Sequence, residues 1–183
     1  IDFALKKKKY DFVLSGGVAM EYKAIKEIID SVKQNDSSIK TIIGGLIITS
    51  EPIAMFNLLN PDIAVIGEGE KTIIELLNYL QHKKDIKKVN GIMFKDDSGK
   101  LVITEPRGFI ENLDSLPYPD LAGLGFEEKI SHTYCNESWM TQSQDYPKVY
   151  PLLGSRGCPF NCSFCYHYSP YRKRTISSIL EEI

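Results

Sequence analysis

Short apolar runs alternate with longer amphipathic stretches along the first half of the chain. Three of the runs are apolar on both faces, a pattern typical of strands buried within a parallel sheet. Each run also ends in small or polar residues, and they read YDFVLSGG (10–17), KTIIGG (40–45) and DIAVIGEGE (62–70). We therefore expect strands near 11–15, 41–44 and 62–66 that are adjacent and parallel.

The stretches between and after these runs have the period of amphipathic helices. Four aliphatic residues after the first run lie on one helical face: Ile25, Ile28, Ile29 and Val32. The segment EPIAMFNLLN (51–60) predicts a short helix after the second run. A further apolar stripe follows the third run: Ile73, Ile74, Leu76, Leu77 and Leu80. This alternation predicts an α/β fold, with a Rossmann-like (flavodoxin-like) parallel sheet and helices on both of its faces.

The pattern changes after residue 90. GIMFKDDSGKLVIT (91–104) predicts two strands joined by a polar turn, hence a hairpin that follows the sheet. Residues 105–150 are rich in proline and weakly periodic, and they predict an extended connector in which ENLDSLPYPDL (111–121) forms a packed strap. Ahead of the first strand, IDFALKKKK (1–9) predicts the last turn of a helix. We therefore expect the chain to begin inside a domain.

The overall composition narrows the range of functions. The 183 residues are 43% hydrophobic and 25% charged, which is typical of a folded domain. No apolar run is long enough to cross a bilayer. The net charge of -2 provides no basic field of the kind that nucleic-acid binding requires. We therefore expect a small-molecule partner, no nucleic-acid partner and no membrane span.

Small residues mark the carboxyl ends of the three predicted strands, where open α/β sheets bind their ligands. The residues at this edge are Ser15, Gly16, Gly17, Gly44, Gly45, Gly67 and Glu68. Strand-to-helix turns also need glycine for a positive φ when no ligand is present, so a binding edge and a set of ordinary turns both stay open. Glu68 and Glu70 favour the N-terminus of the following helix through its dipole.

Three of the four cysteines form one cluster, Cys158, Cys162 and Cys165, with the spacing C-x3-C-x2-C. One short loop with this spacing can wrap a compact metal centre, and iron–sulfur clusters are held by thiolates at comparably short spacings. Three protein ligands to a cluster of four irons leave one iron open for a substrate or cofactor. Such a cluster of cysteines indicates metal or redox chemistry rather than a secreted disulfide framework, and we expect a cytoplasmic protein.

Two other interpretations of the cysteines stay open. His167 could complete a structural zinc site with three cysteines, although such sites commonly use two separated pairs of ligands. One cysteine could instead be a reactive nucleophile. Cys135 stands alone in the connector, where an incidental thiol is the simplest interpretation. Apart from the zinc alternative, His132 and His167 are interpreted as ordinary surface or core histidines.

The segment LLGSRGCPFNCSFCYH (152–167) is similar to the cluster loop of the radical S-adenosylmethionine (SAM) superfamily. In that loop three cysteines at this spacing bind a 4Fe–4S cluster, and an aromatic residue, here Phe164, precedes the third. YRKRTISSILEEI (171–183) continues as that family does, with basic residues and then the first helix of a partial TIM barrel. Four upstream segments resemble the N-terminal portion of radical enzymes that carry a cobalamin-binding domain: IIGGLIITSEP, IAVIGEGEKTIIELL, VNGIMFK and NLDSLPYPD.

This resemblance implies a 4Fe–4S cluster and SAM as cofactors, with an electron donor such as flavodoxin or ferredoxin as a partner. Cys158, Cys162 and Cys165 would bind the cluster, and its open iron would bind SAM. Reductive cleavage of SAM gives a 5′-deoxyadenosyl radical, which abstracts hydrogen from the substrate. Phe164 would belong to the cofactor site.

The resemblance also implies that cobalamin binds at the glycine-rich edge of the sheet. Its implied site residues are Ser15, Gly16, Gly44, Gly45 and Gly67. Ser15 matches the serine signal of cobalamin domains, and Gly44–Gly45 match the glycine pair. Family members often have Pro-His after that pair, whereas this chain has Leu46 and Ile47.

The same resemblance divides the chain into three parts. Residues 1–90 would be part of a cobalamin-binding Rossmann-like domain, 91–150 the hairpin and connector, and 151–183 the start of a radical SAM domain with its cluster loop. The implied function is that of a cobalamin-dependent methyltransferase, of which this chain is an inactive piece. A radical cyclase of the anaerobic tetrapyrrole type is one alternative, and a non-enzymatic zinc- or cobalamin-binding module is another.

Overall fold

A five-stranded mixed sheet forms the centre of the N-terminal part in the computed structural model, which describes residues 2–126, 128 and 152–183. The chain divides into two compact units, Ile1–Phe109 and Ile110–Ile183. The first unit contains the whole five-stranded sheet. The domain bounds expected near residues 90 and 150 stay predictions.

The strands of this sheet follow one another in chain order, β1-β2-β3-β4-β5. They are β1 (Phe12–Gly16), β2 (Lys40–Gly44), β3 (Ile63–Val65), β4 (Ile92–Lys95) and β5 (Leu101–Ile103). The first three are adjacent and parallel, which confirms the prediction made for them. The predicted hairpin is also present as β4 and β5, but it is part of the same sheet, because β4 pairs antiparallel with β3.

Helices precede, connect and follow the parallel strands. In the first unit they are α1 (Asp2–Lys7), α2 (Tyr22–Asn35), α3 (Leu46–Ser50), α4 (Pro52–Leu59) and α5 (Glu70–Gln81). The sequence pattern predicted α2, α4 and α5 and the last turn of α1, whereas α3 was not predicted. This short helix begins directly after Gly45 and buries Ile47 and Ile48 completely. In the described part of the chain, no helix has the length and apolarity needed to cross a membrane.

Both faces of the sheet are covered by helices, as the strand–helix alternation predicted. On one face, Ile43 and Ala64 pack against apolar residues of α2, α3 and α4. On the opposite face, Ile42 and Val65 pack in a second cluster with Leu76 of α5. Burial of such aliphatic side chains stabilises a fold by about 1.5–3 kcal/mol each. The two clusters therefore hold the three parallel strands in a fixed position.

The amino-terminal end of the parallel strands is held by one carboxylate. Asp62 accepts hydrogen bonds at 2.8 Å from both the backbone N–H and the hydroxyl of Thr41, and it forms ion pairs with Lys33 and Lys40. Partial burial raises the pKa of Asp62, but the hydrogen bonds from Lys33 and Thr41 outweigh that effect and hold its pKa below the ordinary value. These hydrogen bonds and ion pairs stabilise the amino-terminal end of the parallel strands.

The second unit contains a short antiparallel pair, β6 (Ser155–Arg156) and β7 (Arg172–Lys173), and the helix α6 (Ile176–Glu182). Thr175 caps α6, because its hydroxyl accepts the N–H of Ser178 at 3.2 Å. The N–H of Thr175 donates in turn to the Asp114 carboxylate at 3.0 Å and lowers its pKa. Leu113 is buried beside Asp114. The predicted strap is thus tied to the start of α6.

Candidate functional site

A pocket of about 170 Å³ opens at the carboxyl ends of β1, β2 and β3, on the face of the sheet that α5 covers. Its lining combines small residues of the strand-to-helix turns with aliphatic side chains of the strands and α5: Ser15, Gly44, Gly45, Gly67, Gly69, Leu14, Ile42, Val65 and Ile73. Four of the five residues that the resemblance implies for cobalamin therefore line one pocket. Gly16 is not in its lining. We call this pocket the glycine groove.

Two of the predicted glycines are required by the packing of the backbone. A Cβ at Gly16 would lie 2.7 Å from the carbonyl oxygen of Gly44. At Gly45 φ is +82°, and a Cβ there would lie 2.7 Å from the backbone nitrogen of Gly17. The ends of β1 and β2 thus approach too closely for any side chain. At these two positions, the need for a turn explains glycine without a ligand.

Gly44 and Gly67 are different, because they leave open space. A Cβ at Gly44 would meet Val65 only at 3.8 Å, an ordinary van der Waals distance. Gly67 has φ +80° and no atom within 4 Å of its would-be Cβ. The room in the glycine groove is therefore supplied by Gly44 and Gly67, and a polar chain could approach the backbone closely there.

Ser15 is among the lining residues of the groove. In the register of β1 and β2 it pairs with Ile43, which packs on the face opposite α5, so the Ser15 side chain lies on that opposite face. The N-cap of the turn at Ala19–Glu21 is Val18 and that of α2 is Glu21, and neither position has a side-chain cap hydrogen bond. The N–H of Val18 is instead satisfied by the Glu21 carboxylate at 2.8 Å. Ser15 is therefore not the N-cap of the turn or of α2.

Thr49 connects the two turns on the β3 side of the groove. Its hydroxyl donates to the carbonyl oxygen of Gly45 at 3.0 Å and accepts the N–H of Gly67 at 3.0 Å. Thr49 was not among the predicted site residues. A signal was present, since a threonine four residues after a helix start commonly bonds back to the carbonyl there, but its bond to Gly67 depends on the fold.

The acidic residues beside the groove take the positions expected for a helix start. Gly69 is the N-cap of α5 and Glu70 lies in its first turn, where a negative charge is favourable. Glu68 is buried, with 8% of its surface exposed. Its carbonyl oxygen accepts the Thr72 hydroxyl at 3.5 Å.

The cysteines lie on a loop that leaves β6 and returns to β7. We call the segment 157–171 the cysteine loop. Its two ends are held together by the antiparallel backbone pairing of β6 with β7, in which Arg156 lies opposite Arg172. At its start Gly157 has φ +75°, and a Cβ there would lie 2.2 Å from the carbonyl oxygen of Pro170. The sequence analysis did not identify this requirement for glycine, although a glycine directly before the first cysteine was visible.

Arg172 ties the base of the cysteine loop to the preceding segment of the same unit. It is buried, with 8% of its surface exposed. Its guanidinium donates to the carbonyl oxygen of Ile110 at 2.8 Å and to that of Pro170 at 3.3 Å. A buried cation is stable only when its donors are satisfied. Arg172 therefore fixes the point at which the loop closes.

The three thiols are exposed, and none of them is in a disulfide. The N–H of Cys165 donates to the carbonyl oxygen of Cys162 at 3.1 Å, which places these two cysteines on one turn. Among the described residues, no three side chains of His, Cys, Asp or Glu are gathered as ligands of one metal ion. Phe164 is 91% exposed beside them. The loop thus carries three soft thiol donors of the kind that bind iron–sulfur clusters.

The alternative interpretations of the cysteines stay open. His167 is partly buried on the same loop, two residues after Cys165. Cys135 and His132 lie outside the described residues, so the prediction of an incidental thiol at Cys135 stays a prediction.

Comparison with curated proteins finds similarity along most of the chain. It is 28% identical over 156 residues to an uncharacterized methyltransferase of Pyrococcus horikoshii, a match that covers 82% of this chain and 31% of that protein. It is 30% identical over 169 residues to the anaerobic magnesium-protoporphyrin IX monomethyl ester cyclase of Rubrivivax gelatinosus, covering 88% of this chain and 28% of the cyclase. The chain thus spans less than a third of the length of these relatives. No family model matches it.

Solved structures show the same fold. The cobalamin-dependent SAM radical enzyme OxsB, with aqua-cobalamin and SAM bound, superposes on 98% of this chain with a TM-score of 0.72 and 21% identity, and the match covers 24% of OxsB. The radical SAM methyltransferase TsrM of Kitasatospora setae, with cobalamin and a [4Fe-4S] cluster bound, superposes on 97% of this chain with a TM-score of 0.62 and 16% identity, and the match covers 35% of TsrM. At these identities the likeness establishes the fold.

Proposed function

We propose that this chain, whose fold is that of cobalamin-dependent radical SAM enzymes over nearly its whole length, is part of such an enzyme. The observation that carries the proposal is the cysteine loop. Three free, exposed thiols spaced C-x3-C-x2-C stand on a loop whose base is closed by β6 and β7. The fold and the thiol spacing are independent observations, and both favour the same class of enzyme.

In this proposal Cys158, Cys162 and Cys165 each bind one iron of a 4Fe–4S cluster through their thiolates. The cluster, when bound together with SAM, supplies a 5′-deoxyadenosyl radical for hydrogen abstraction. The loop residues hold the three thiolates on one short segment and leave the fourth iron without a protein ligand. Phe164, which is fully exposed on this loop, contributes an aromatic surface to the cofactor site. A small reducing protein of the flavodoxin or ferredoxin type is the proposed electron donor.

The glycine groove is the proposed cobalamin site. Gly44 and Gly67 leave room at the carboxyl edge of the sheet, where open α/β sheets bind their ligands. Ser15 belongs to the lining of the same pocket, and Ile42 and Val65 provide apolar walls. This combination of open backbone and aliphatic surface suits the nucleotide tail of cobalamin, which is long, polar and partly aromatic. Residues 1–90 are the proposed cobalamin-binding part and 151–183 the proposed start of the radical SAM domain.

Methyl transfer is the reaction that we propose for the whole enzyme, because a curated methyltransferase and the methyltransferase TsrM are among its relatives. Radical cyclisation is the second candidate, since the cyclase of Rubrivivax gelatinosus matches 88% of this chain. The chemical class of the product distinguishes the two reactions. Incubation of the full-length enzyme with methyl-labelled SAM transfers label to a substrate only in the first case.

The experiment that tests the proposal is a set of single cysteine-to-alanine variants of the full-length protein. We expect about four irons and four sulfides per chain in the parent after anaerobic reconstitution, and loss of most of the iron in variants of Cys158, Cys162 or Cys165. Cys135→Ala is the matched control and should retain the iron of the parent. One zinc per chain in place of iron would favour a structural metal module and refute the proposal.

A further inference from the structure

Backbone pairing between strands fixes the β1–β2 side of the glycine groove but does not extend as far on its β2–β3 side. Between β1 and β2 the strand pairing continues to the pair Gly16–Gly44, at the edge of the groove. Between β2 and β3 the pairing stops earlier, at Ile43–Ala64. Beyond that pair, the sheet ladder itself does not hold the turn after β2 at a fixed distance from the turn after β3.

Thr49 supplies the missing connection. Its hydroxyl oxygen is 3.0 Å from the carbonyl oxygen of Gly45 and 3.0 Å from the backbone nitrogen of Gly67. One hydroxyl can donate one hydrogen bond and accept another, so both bonds form at once. The first belongs to the turn after β2 and the second to the turn after β3. In the part of the chain that the structure describes, the hydroxyl of Thr49 thus joins the two turns.

We infer that Thr49 is a positioning residue for the ligand of the glycine groove, an inference that rests on the cobalamin site proposed above. Thr49 does not itself line the pocket. It positions the two open glycines of the groove. It bonds directly to Gly67, and it bonds to Gly45, which is the neighbour of Gly44 in the chain. Without the hydroxyl, the N–H of Gly67 has no partner at this position and the turn after β3 can move away from β2.

The test measures hydroxocobalamin binding to the full-length protein by visible absorption, with Thr49→Val and Thr49→Ser compared against the parent. Valine has nearly the shape of threonine without the hydroxyl, and serine keeps the hydroxyl. Leaving one part-buried donor unpaired costs enough to weaken binding by about tenfold. We expect that loss in Thr49→Val and near-parental affinity in Thr49→Ser.

Thr104 provides a matched control in the same sheet. Its hydroxyl also bonds to two backbone groups, accepting the N–H of Ile92 at 3.0 Å and donating to the Ile92 carbonyl oxygen at 3.2 Å. This threonine follows β5, away from the groove. Thr104→Val therefore loses the same kind of hydrogen bonds, and we expect it to leave hydroxocobalamin affinity unchanged.

A second measurement does not depend on the ligand. Amide hydrogen exchange at Gly67 should become faster in Thr49→Val than in the parent, and it should stay slow in Thr49→Ser and Thr104→Val. Parental affinity and parental exchange in Thr49→Val would overturn the inference and leave the cobalamin site standing. Equal weakening in Thr49→Val and Thr104→Val would overturn it too, because general destabilisation would then be the cause. A parent protein that does not bind hydroxocobalamin would refute both the proposed site and the inference.

Discussion

Replacing Gly157 by alanine should disable the cysteine loop while leaving the rest of the fold intact. Gly157 lies at the start of the loop with φ +75°, a backbone conformation that costs an L-residue about 1–2 kcal/mol. Its added Cβ would also lie 2.2 Å from the carbonyl oxygen of Pro170. Carbon–oxygen contacts are normally about 3.3 Å or longer, so the two ends of the loop must separate by about 1 Å. The backbone strain and the steric clash both arise at the base of the cysteine loop, which carries the three cysteines.

The matched control is Gly154→Ala, on the other side of β6. Gly154 has no positive φ, and a Cβ there would meet only the side chain of Ile179 at 3.7 Å. This is an ordinary contact, and we expect its effect on stability to stay within about 0.5 kcal/mol. The two variants make the same chemical change three residues apart and differ only in what the new methyl group meets.

The assay is iron content per chain in the full-length protein after anaerobic reconstitution, with near-ultraviolet circular dichroism as a check of the fold. We expect Gly157→Ala to retain less than half of the iron bound by the parent, and Gly154→Ala to match the parent. Parental iron content in a folded Gly157→Ala protein would show that the closed base of the loop is not needed to gather the thiols.

Three further predictions concern other parts of the molecule. Gly44→Val should fold normally and weaken hydroxocobalamin binding at least about tenfold, because its Cβ is accommodated beside Val65 while its methyl groups reduce the room in the groove; unchanged affinity would place cobalamin elsewhere. Arg172→Gln should lower iron retention and protein stability, since it removes the buried donor to Ile110, whereas normal iron content in this variant would refute a role at the loop base. Asp62 has a lowered pKa, so its contribution to stability is present above the ordinary aspartate pKa of about 3.9 and is lost as the pH falls through its lower folded-state value. The unfolding free energy should therefore depend less on pH below about 5 in Asp62→Asn than in the parent, and equal slopes would contradict this.

Much of the first unit could be predicted from the sequence because its signals are local. The apolar runs that end in glycine gave the three parallel strands, and the helical period gave α2 and α5. The helix α3 was not predicted, because its five residues are too few to show a period. The place of the hairpin was also missed. Its strand β4 joins the sheet because it is apolar on both faces, and the sequence alone does not show which strand it meets.

The sequence predicted which residues lie at the candidate site, but it did not predict what each of them does there. Gly45 was predicted as a residue of the cobalamin site, whereas its positive φ and the close approach of a Cβ there to Gly17 already require glycine. Gly45→Val is for this reason a poor probe of ligand binding, and Gly44→Val is the better one. The hydrogen bond between Thr49 and Gly67 could not be predicted, because it joins residues 18 positions apart whose proximity depends on the sheet.

Electron paramagnetic resonance of the reduced full-length protein tests whether the cysteine loop binds a cluster with one iron open to SAM. We expect the signal of a reduced 4Fe–4S cluster that changes when SAM is added, together with reductive formation of 5′-deoxyadenosine, both lost in Cys162→Ala. A cluster signal that SAM leaves unchanged, with no 5′-deoxyadenosine formed, would contradict the proposal.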